Sequence, residues 1–129
     1  MPLEVTPQDQ RSLEGRIAYE TGMAAEDIAL RDYHSRGYRL VAQRWRGRCG
    51  EIDLILKAAD EMVFVEVKKA ATHAIAATRL TERQLWRIAR SAEDYIGTHA
   101  PDPMTPMRLD LATIDAQGDL QILENLMLT

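Results

Sequence analysis

Three short runs in the middle of the chain put apolar side chains at every second position. Arg39–Trp45 is the first, Glu51–Lys57 the second and Met62–Lys69 the third. In the second run Ile52, Leu54 and Leu56 alternate with Glu51, Asp53, Ile55 and Lys57; in the third Val63, Val65 and Val67 alternate with Phe64, Glu66 and Lys68. A period of two with β-branched residues predicts strands. Gly47 and Gly50 punctuate the first gap, and Ala58–Glu61 makes a short polar hairpin turn. Two further strands are predicted at Met107–Ile114 and Asp119–Glu124, with Gln117-Gly118 as the turn between them.

The flanking segments have the longer period of helices. From about Gln8 to Arg36 the pattern is helical, and Gly22 divides it into two pieces. In the second piece Met23, Ile28, Ala29 and Tyr33 can share one face, and Gly37 is placed as its C-terminal stop. A long helix is predicted over Thr81–Thr98. Thr81 is its N-cap, and Gln84 stands at the spacing of a capping box. Leu85, Ile88, Ala89, Ala92 and Ile96 form its apolar face, and Arg83, Arg87 and Arg90 fall together on the opposite one. Pro101, Pro103 and Pro106 mark the connector that follows. The predicted order is helix, three strands, helix, two strands: an α/β fold with a mixed sheet flanked by helices.

At 129 residues the chain fits one domain, in which residues 1–14 are expected to form a flexible N-terminal segment. One cysteine, Cys49, excludes an intrachain disulfide and a cysteine-rich zinc site. No run approaches the roughly 20 apolar residues of a membrane span, and the N-terminal residues do not read as a signal peptide, so no membrane is expected and the cytoplasm is the expected location. The net charge of −4 argues at first against nucleic acid. The distribution reverses that. Residues 31–90 carry 13 of the 16 basic but only 7 of the 20 acidic residues, a window of +6 between flanks that total −10. Such asymmetry can become a basic face for nucleic acid or simply a solvated surface.

The chemistry lies in polar residues set inside apolar strands. Period-two geometry puts Glu66 and Lys68 on one strand face, roughly 7 Å apart. A hairpin can bring Asp53 alongside Glu66. Two carboxylates converging in low dielectric repel, and a divalent cation resolves the repulsion. Mg²⁺ or Mn²⁺ would take oxygen from Asp53, Glu66 and a backbone carbonyl such as that of Val67, keeping positions for water and phosphate. Lys68 could hold the attacking water or steady the transition state. These are the parts of metal-assisted phosphodiester hydrolysis. The spacing also admits an exposed Glu66–Lys68 pair with Asp53 in a loop. Glu51 shares the Asp53 face as a further ligand or as a strand-end surface residue. His34, His73 and His99 have no ligand-like spacing, and Cys49 lacks a visible base partner. Trp45 and Trp86 suit either base stacking or packing.

Several blocks together resemble the YraN-like family of small bacterial proteins. They are Gly22-x-x-x-Glu26-x-x-Ala29, Gly37-Tyr38, Gly50-Glu51-Ile52-Asp53-Leu54-Ile55, Phe64-Val65-Glu66-Val67-Lys68 and Arg108-Leu109-Asp110. The resemblance runs from about Gly15 to Leu126. That family is similar to archaeal Holliday-junction resolvases within the restriction-endonuclease-like superfamily. The resemblance implies a mixed sheet flanked by helices and a metal-dependent nuclease site in which Asp53, Glu66 and Lys68 match the two carboxylates and the lysine. Glu26 matches an acidic residue on the first helix that approaches the metal. Two positions depart from the family pattern: Lys69-Ala70 stands where a further basic residue is usual, and Gln84 stands where lysine is expected.

The functional expectation is therefore a metal-dependent endonuclease acting on DNA, including branched DNA, or other structured nucleic acid. Arg44, Arg46, Arg48, Lys69, Arg83, Gln84, Arg87 and Arg90 are the candidate phosphate contacts. The alternatives are a nucleic-acid-binding or partner-binding module that keeps the fold without the activity, and a structural adaptor. Junction cleavage would favour a homodimer.

Overall fold

Alternation in the strands and helical periodicity around them produce one five-stranded sheet with helices on both faces in the computed structural model, which describes residues 24–100, 102 and 104–126. The elements in chain order are α1 (residues 24–35 of the described chain), β1 (Arg39–Arg46), β2 (Glu51–Ala58), β3 (Glu61–Lys69), α2 (His73–Thr78), α3 (Glu82–His99), β4 (Met107–Ile114) and β5 (Leu120–Leu123). The strands lie in sequence order across the sheet. β3 and β4 are parallel; the other neighbouring pairs are antiparallel. This is the mixed sheet flanked by helices expected of a restriction-endonuclease-like fold. The predicted helical piece before residue 24, with Gly22 and Met23, lies outside the described residues, as do Pro101 and Pro103 of the connector.

Each sheet face has its own core. Leu54, Leu56, Val63, Val65 and Ala112 pack with Ala29 and Tyr33 of α1. Ile55, Met62, Phe64 and Leu109 pack with Ile88, Ala89, Ala92, Tyr95 and Ile96 of α3. β4 is buried from Leu109 to Ile114, as a strand with neighbours on both edges and helices on both faces should be.

The helix ends follow their local chemistry. The Thr81 hydroxyl accepts from the Gln84 amide and starts α3. At the end of α1 the Tyr38 amide donates to the Tyr33 carbonyl and the Gly37 amide to the His34 carbonyl, with Gly37 at φ +91°. These are the paired bonds of a Schellman motif, for which glycine is suited. The accompanying side-chain contact is the edge-on pair Tyr33–Tyr38, ring centroids 5.5 Å apart.

The structure adds one element. α2 is a six-residue helix capped by Thr72, whose hydroxyl accepts from the Ile75 amide. Only Ala76 of α2 is buried, so its sequence carries almost no apolar period. The other predicted elements differ from the observed ones by a residue or so at their ends.

Candidate functional site

The antiparallel ladder between β2 and β3 runs from Ala58–Glu61 to Leu54–Val65. Asp53 and Glu66 are the next residues on each strand. Here the Asp53 side chain takes over from the ladder: its Oδ2 accepts from the Val67 amide at 2.8 Å. In an extended strand a residue's N–H and C=O point to the same edge. The Val67 carbonyl therefore also faces the Asp53 side.

Asp53 and Glu66 line one cleft of about 290 Å³ with Cys49, Gly50, Glu51, Gln84, Arg87 and Ile88. Glu66 is 7% exposed. Its Oε1 lies 3.2 Å from Lys68 Nζ and accepts from Gln84 Nε2 at 3.4 Å. Lys68 thus shares the Glu66 face, as the period of two requires. Burial, then the Asp53 charge, pushes the Glu66 carboxyl up to about 7, against the pull of Lys68. Burial also raises Asp53; the Val67 amide opposes this, and the charges of Glu26 and Glu51 add to it. The oxygen donors of Asp53, Glu66, Glu51 and the Val67 carbonyl suit a hard divalent cation such as Mg²⁺ or Mn²⁺.

Glu26 reaches this region from α1 and is 7% exposed. Its carboxylate accepts from Gln43 Nε2 at 3.0 Å and from Arg44 at 2.8 Å. Arg44 sits at φ +51°, a left-handed conformation in β1, and its guanidinium turns onto Glu26. The expected phosphate contact at Arg44 is thus engaged with a carboxylate inside the protein. Gln43, which completes the Glu26 contacts, carried no signal in the sequence.

Of the remaining candidate contacts, Gln84 and Arg87 line the cleft, whereas Arg46 and Arg48 line a separate cavity with Trp45, Gly47, Asp94 and Thr98. Arg83 and Arg90 are exposed on the same helix as Arg87. Gln84, in place of the expected lysine, points a neutral donor at Glu66. Arg46, Arg48 and Lys69 are exposed. Arg48 makes a 3.4 Å pair with Asp94 at the surface, a contact worth little. Glu51 and Cys49 are exposed at the cleft. Trp45 packs edge-on against Tyr95 at 5.2 Å, whereas Trp86 is 49% exposed on α3. Ser91, buried in α3, donates to the Gly50 carbonyl at 3.0 Å and holds the β1–β2 turn against the helix beside the cleft.

Among the described residues no helix is long and apolar enough to cross a membrane. The profile of "Uncharacterised protein family UPF0102" matches residues 25–114, a span that includes Glu26, Asp53, Glu66 and Lys68. A UPF0102 protein of Ruegeria pomeroyi is 51% identical over 104 residues, covering 81% of this chain and 85% of its own. One of Roseobacter denitrificans is 46% identical over 111 residues, 86% of each chain. One of Cereibacter sphaeroides is 41% identical over 113 residues, 88% of this chain and 97% of its own.

Proposed function

The chain belongs to the uncharacterised protein family UPF0102, the YraN-like family to which its sequence blocks point, and from that premise we propose that it is a metal-dependent nuclease acting on DNA or structured nucleic acid. The observation that carries the reading is the meeting of Asp53 and Glu66 in one cleft, at the end of the β2–β3 ladder, with Lys68 3.2 Å from Glu66. Two carboxylates whose charged forms burial disfavours, held together at the end of a ladder, are costly for stability alone.

In this reading Asp53, Glu66 and the Val67 carbonyl hold Mg²⁺ or Mn²⁺, with Glu26 behind Asp53. When bound there, such an ion would supply positive charge to a phosphate and acidify a water. Lys68 orients the attacking water and meets the negative charge that grows on phosphorus. The water oxygen would bond to phosphorus as the ester P–O bond breaks; the water would give up a proton to solvent and the leaving oxygen would take one in exchange. Arg87 at the cleft wall, with Arg83 and Arg90 further along α3, fixes the neighbouring phosphates without reading bases. Arg46, Arg48 and Lys69 extend the basic surface. A homodimer would suit symmetrical cutting of a branched substrate.

The second reading is a nucleic-acid-binding module that keeps the fold without turnover. The observation in its favour is Gln84, which gives Glu66 a neutral partner where the family pattern leads one to expect a cation. Mn²⁺ titration calorimetry, run beside single-turnover cleavage of branched, single-stranded and duplex DNA, decides between the two. The nuclease reading expects one Mn²⁺ site and cleavage that are both lost in Asp53→Asn. Mn²⁺ and DNA binding without cleavage above the Asp53→Asn background would favour the module. Mn²⁺ binding with no component that depends on Asp53 would place the ion outside this cleft.

A further inference from the structure

A second group of ligand-type side chains lies at the other side of the same strand ends. The parallel pairing of β3 and β4 carries Lys69 to Ile114, and the Ala70 amide donates to the Ile114 carbonyl. The chain that leaves β3 into α2 is thereby laid beside the chain that leaves β4 into the β4–β5 turn. His73, the first residue of α2, meets Asp115 and Asp119 of that turn. Among the described residues, these three form a group whose ligand atoms all lie within 4.8 Å of one another.

The ring is oriented from behind. His73 Nδ1 lies 2.7 Å from the hydroxyl of Thr113, a residue only 2% exposed, and the Thr113 hydroxyl in turn faces the Gln121 carbonyl at 3.5 Å. The Thr113 hydroxyl can accept from Nδ1 while it faces that carbonyl, or donate to Nδ1 instead. Nε2 stands 3.1 Å from the acceptor-only Asp119 carboxylate and meets it through a proton that a cation would replace; with the cation bound, Nδ1 would be the donor to Thr113 and the Nε2 lone pair would turn on the ion. Fixing the far ring nitrogen in this way is how metal-binding histidines are held. Asp115 is fixed too: its Oδ1 accepts from the amides of Gln117 and Asp119, both at 2.9 Å, and its Oδ2 is the oxygen toward the ring.

The spacing suits an ion. Nε2 is 3.1 Å from Asp119 Oδ2 and 3.7 Å from Asp115 Oδ2. Two donors about 2.0–2.1 Å from a tetrahedral centre stand about 3.3 Å apart, between those two values. A neutral imidazole with two carboxylates leaves a double negative charge to be met. Imidazole selects transition metals rather than Mg²⁺. We propose that His73, Asp115 and Asp119 bind one divalent transition-metal cation of the Zn²⁺ class, which ties the β4–β5 turn to the start of α2. Asp119, with its side chain 67% exposed, forms the open side, where water completes the coordination. This site is separate from the Asp53–Glu66 cleft and does not depend on the nuclease reading.

The test is Zn²⁺ titration calorimetry on the full chain, in wild type and in Asp53→Asn/Glu66→Gln, which silences the cleft. Co²⁺ absorption and melting with Zn²⁺ or EDTA accompany it. One Zn²⁺ should bind per chain with the cleft silenced, Co²⁺ should give the visible bands of a tetrahedral site, and Zn²⁺ should raise the melting temperature. His73→Ala should weaken binding by about 100-fold or more, and Asp119→Asn by at least about 10-fold. Thr113→Val should weaken it by about 10- to 100-fold, through the ring orientation alone. Asp119 is at the surface, so its variant decides the matter even if His73→Ala fails to fold. A cleft-silenced chain that takes up no Zn²⁺ would leave the three side chains as a hydrogen-bonded contact and overturn the proposal. Zn²⁺ binding unchanged in Asp119→Asn would do the same.

Discussion

Asp53 accepts the Val67 amide at 2.8 Å, one step beyond the last Leu54–Val65 pair of the ladder between their strands. The carboxylate therefore has a structural contact as well as a candidate metal-binding one, and two substitutions separate them. Asp53→Asn keeps an acceptor for the amide and removes a charge that burial disfavours. It should be at least as stable as wild type at pH 8 without metal. Asp53→Ala leaves the amide unpartnered and should be less stable than Asn by on the order of 1 kcal/mol. Urea melts in EDTA read the difference. Equal stability for the two variants would mean that the amide finds water without cost.

The Glu66 carboxyl, raised to about 7 chiefly by burial, makes a prediction about pH. Its ordinary value is 4.5. Between those values the folded chain binds more protons than the unfolded one, so stability falls as pH rises through that window and levels off above it. The fall is a few kcal/mol at most, because each tenfold difference in proton affinity between the two states corresponds to about 1.4 kcal/mol. Melts from pH 4.5 to 8 in EDTA should show this decline, and Glu66→Gln should flatten it. Mn²⁺ should restore stability more at pH 8 than at pH 5.5, because ion and proton compete for the same carboxylate. A Glu66→Gln profile parallel to wild type would place the pH dependence elsewhere.

What the sequence made legible was local. Phe64-Val65-Glu66-Val67-Lys68 announces a buried strand by its β-branched residues, and its period of two puts Glu66 and Lys68 on one face before any coordinates are known. Thr81 and Gln84 announce the start of α3 in the same way. Other features arise only from tertiary pairing. His73 and Asp119 are 46 residues apart and meet because β3 and β4 run parallel, so no spacing rule reports them. Arg44 belongs by composition to a basic window, but its left-handed backbone turns it onto Glu26. α2 is silent in the sequence because six residues with one buried alanine have no amphipathic pattern, and Thr72 alone, as an N-cap residue, signals its start.

Tyr33 and Asp110 form a buried link 77 residues apart in sequence that has no part in the proposed chemistry. The phenol donates to Asp110 Oδ2 at 2.7 Å; Arg108 donates to both carboxylate oxygens at 2.9 Å, and the Asn125 amide to Oδ1 at 3.0 Å. Burial, then the bond to Asp110, holds the Tyr33 phenol well above its ordinary range, so it stays a donor. Tyr33→Phe removes one of four bonds to a buried charge and should cost about 1.5–3 kcal/mol. Asp110→Ala takes two bonds from Arg108, which keeps Glu61 and Tyr38, and leaves the Tyr33 hydroxyl and the Asn125 amide without their acceptor, so it should cost more than Tyr33→Phe. Urea melts that rank Tyr33→Phe as the more damaging change would refute this account of the network.

If the chain binds DNA as proposed, the exposed Arg83, Arg87 and Arg90 should tie that affinity to salt. For duplex DNA, removing one arginine–phosphate pairing should flatten the log–log slope of affinity against salt by about 0.9. The triple alanine variant should therefore bind more weakly at low salt and show a shallower slope, with stability nearly unchanged because these side chains face solvent. Anisotropy titrations of labelled duplex and branched DNA at several salt concentrations measure it. An unaltered slope would mean that this face of α3 meets solvent or protein rather than phosphate.

Lys68 decides whether the cleft performs chemistry or only binds. Its ammonium is 3.2 Å from Glu66 Oε1, close enough to serve a water or phosphate seated beside that carboxylate. Lys68→Met keeps the length and apolar stem of the side chain and removes the charge. Mn²⁺ affinity should survive, because Asp53 and Glu66 remain, and should rise where the ammonium had competed for Glu66. Single-turnover cleavage should fall by a factor on the order of 10² or more, the usual effect of removing a positioned proton-transfer or electrostatic group. Asp53→Asn, by contrast, should lose Mn²⁺ affinity and cleavage together. This split, binding retained in one variant and abolished in the other, cannot arise from general damage to the fold. If Lys68→Met cuts as fast as wild type, Lys68 serves only to balance the charge of Glu66, and the water must be oriented by another group at the cleft, with Gln84 and Arg87 the side-chain nitrogen donors on its wall.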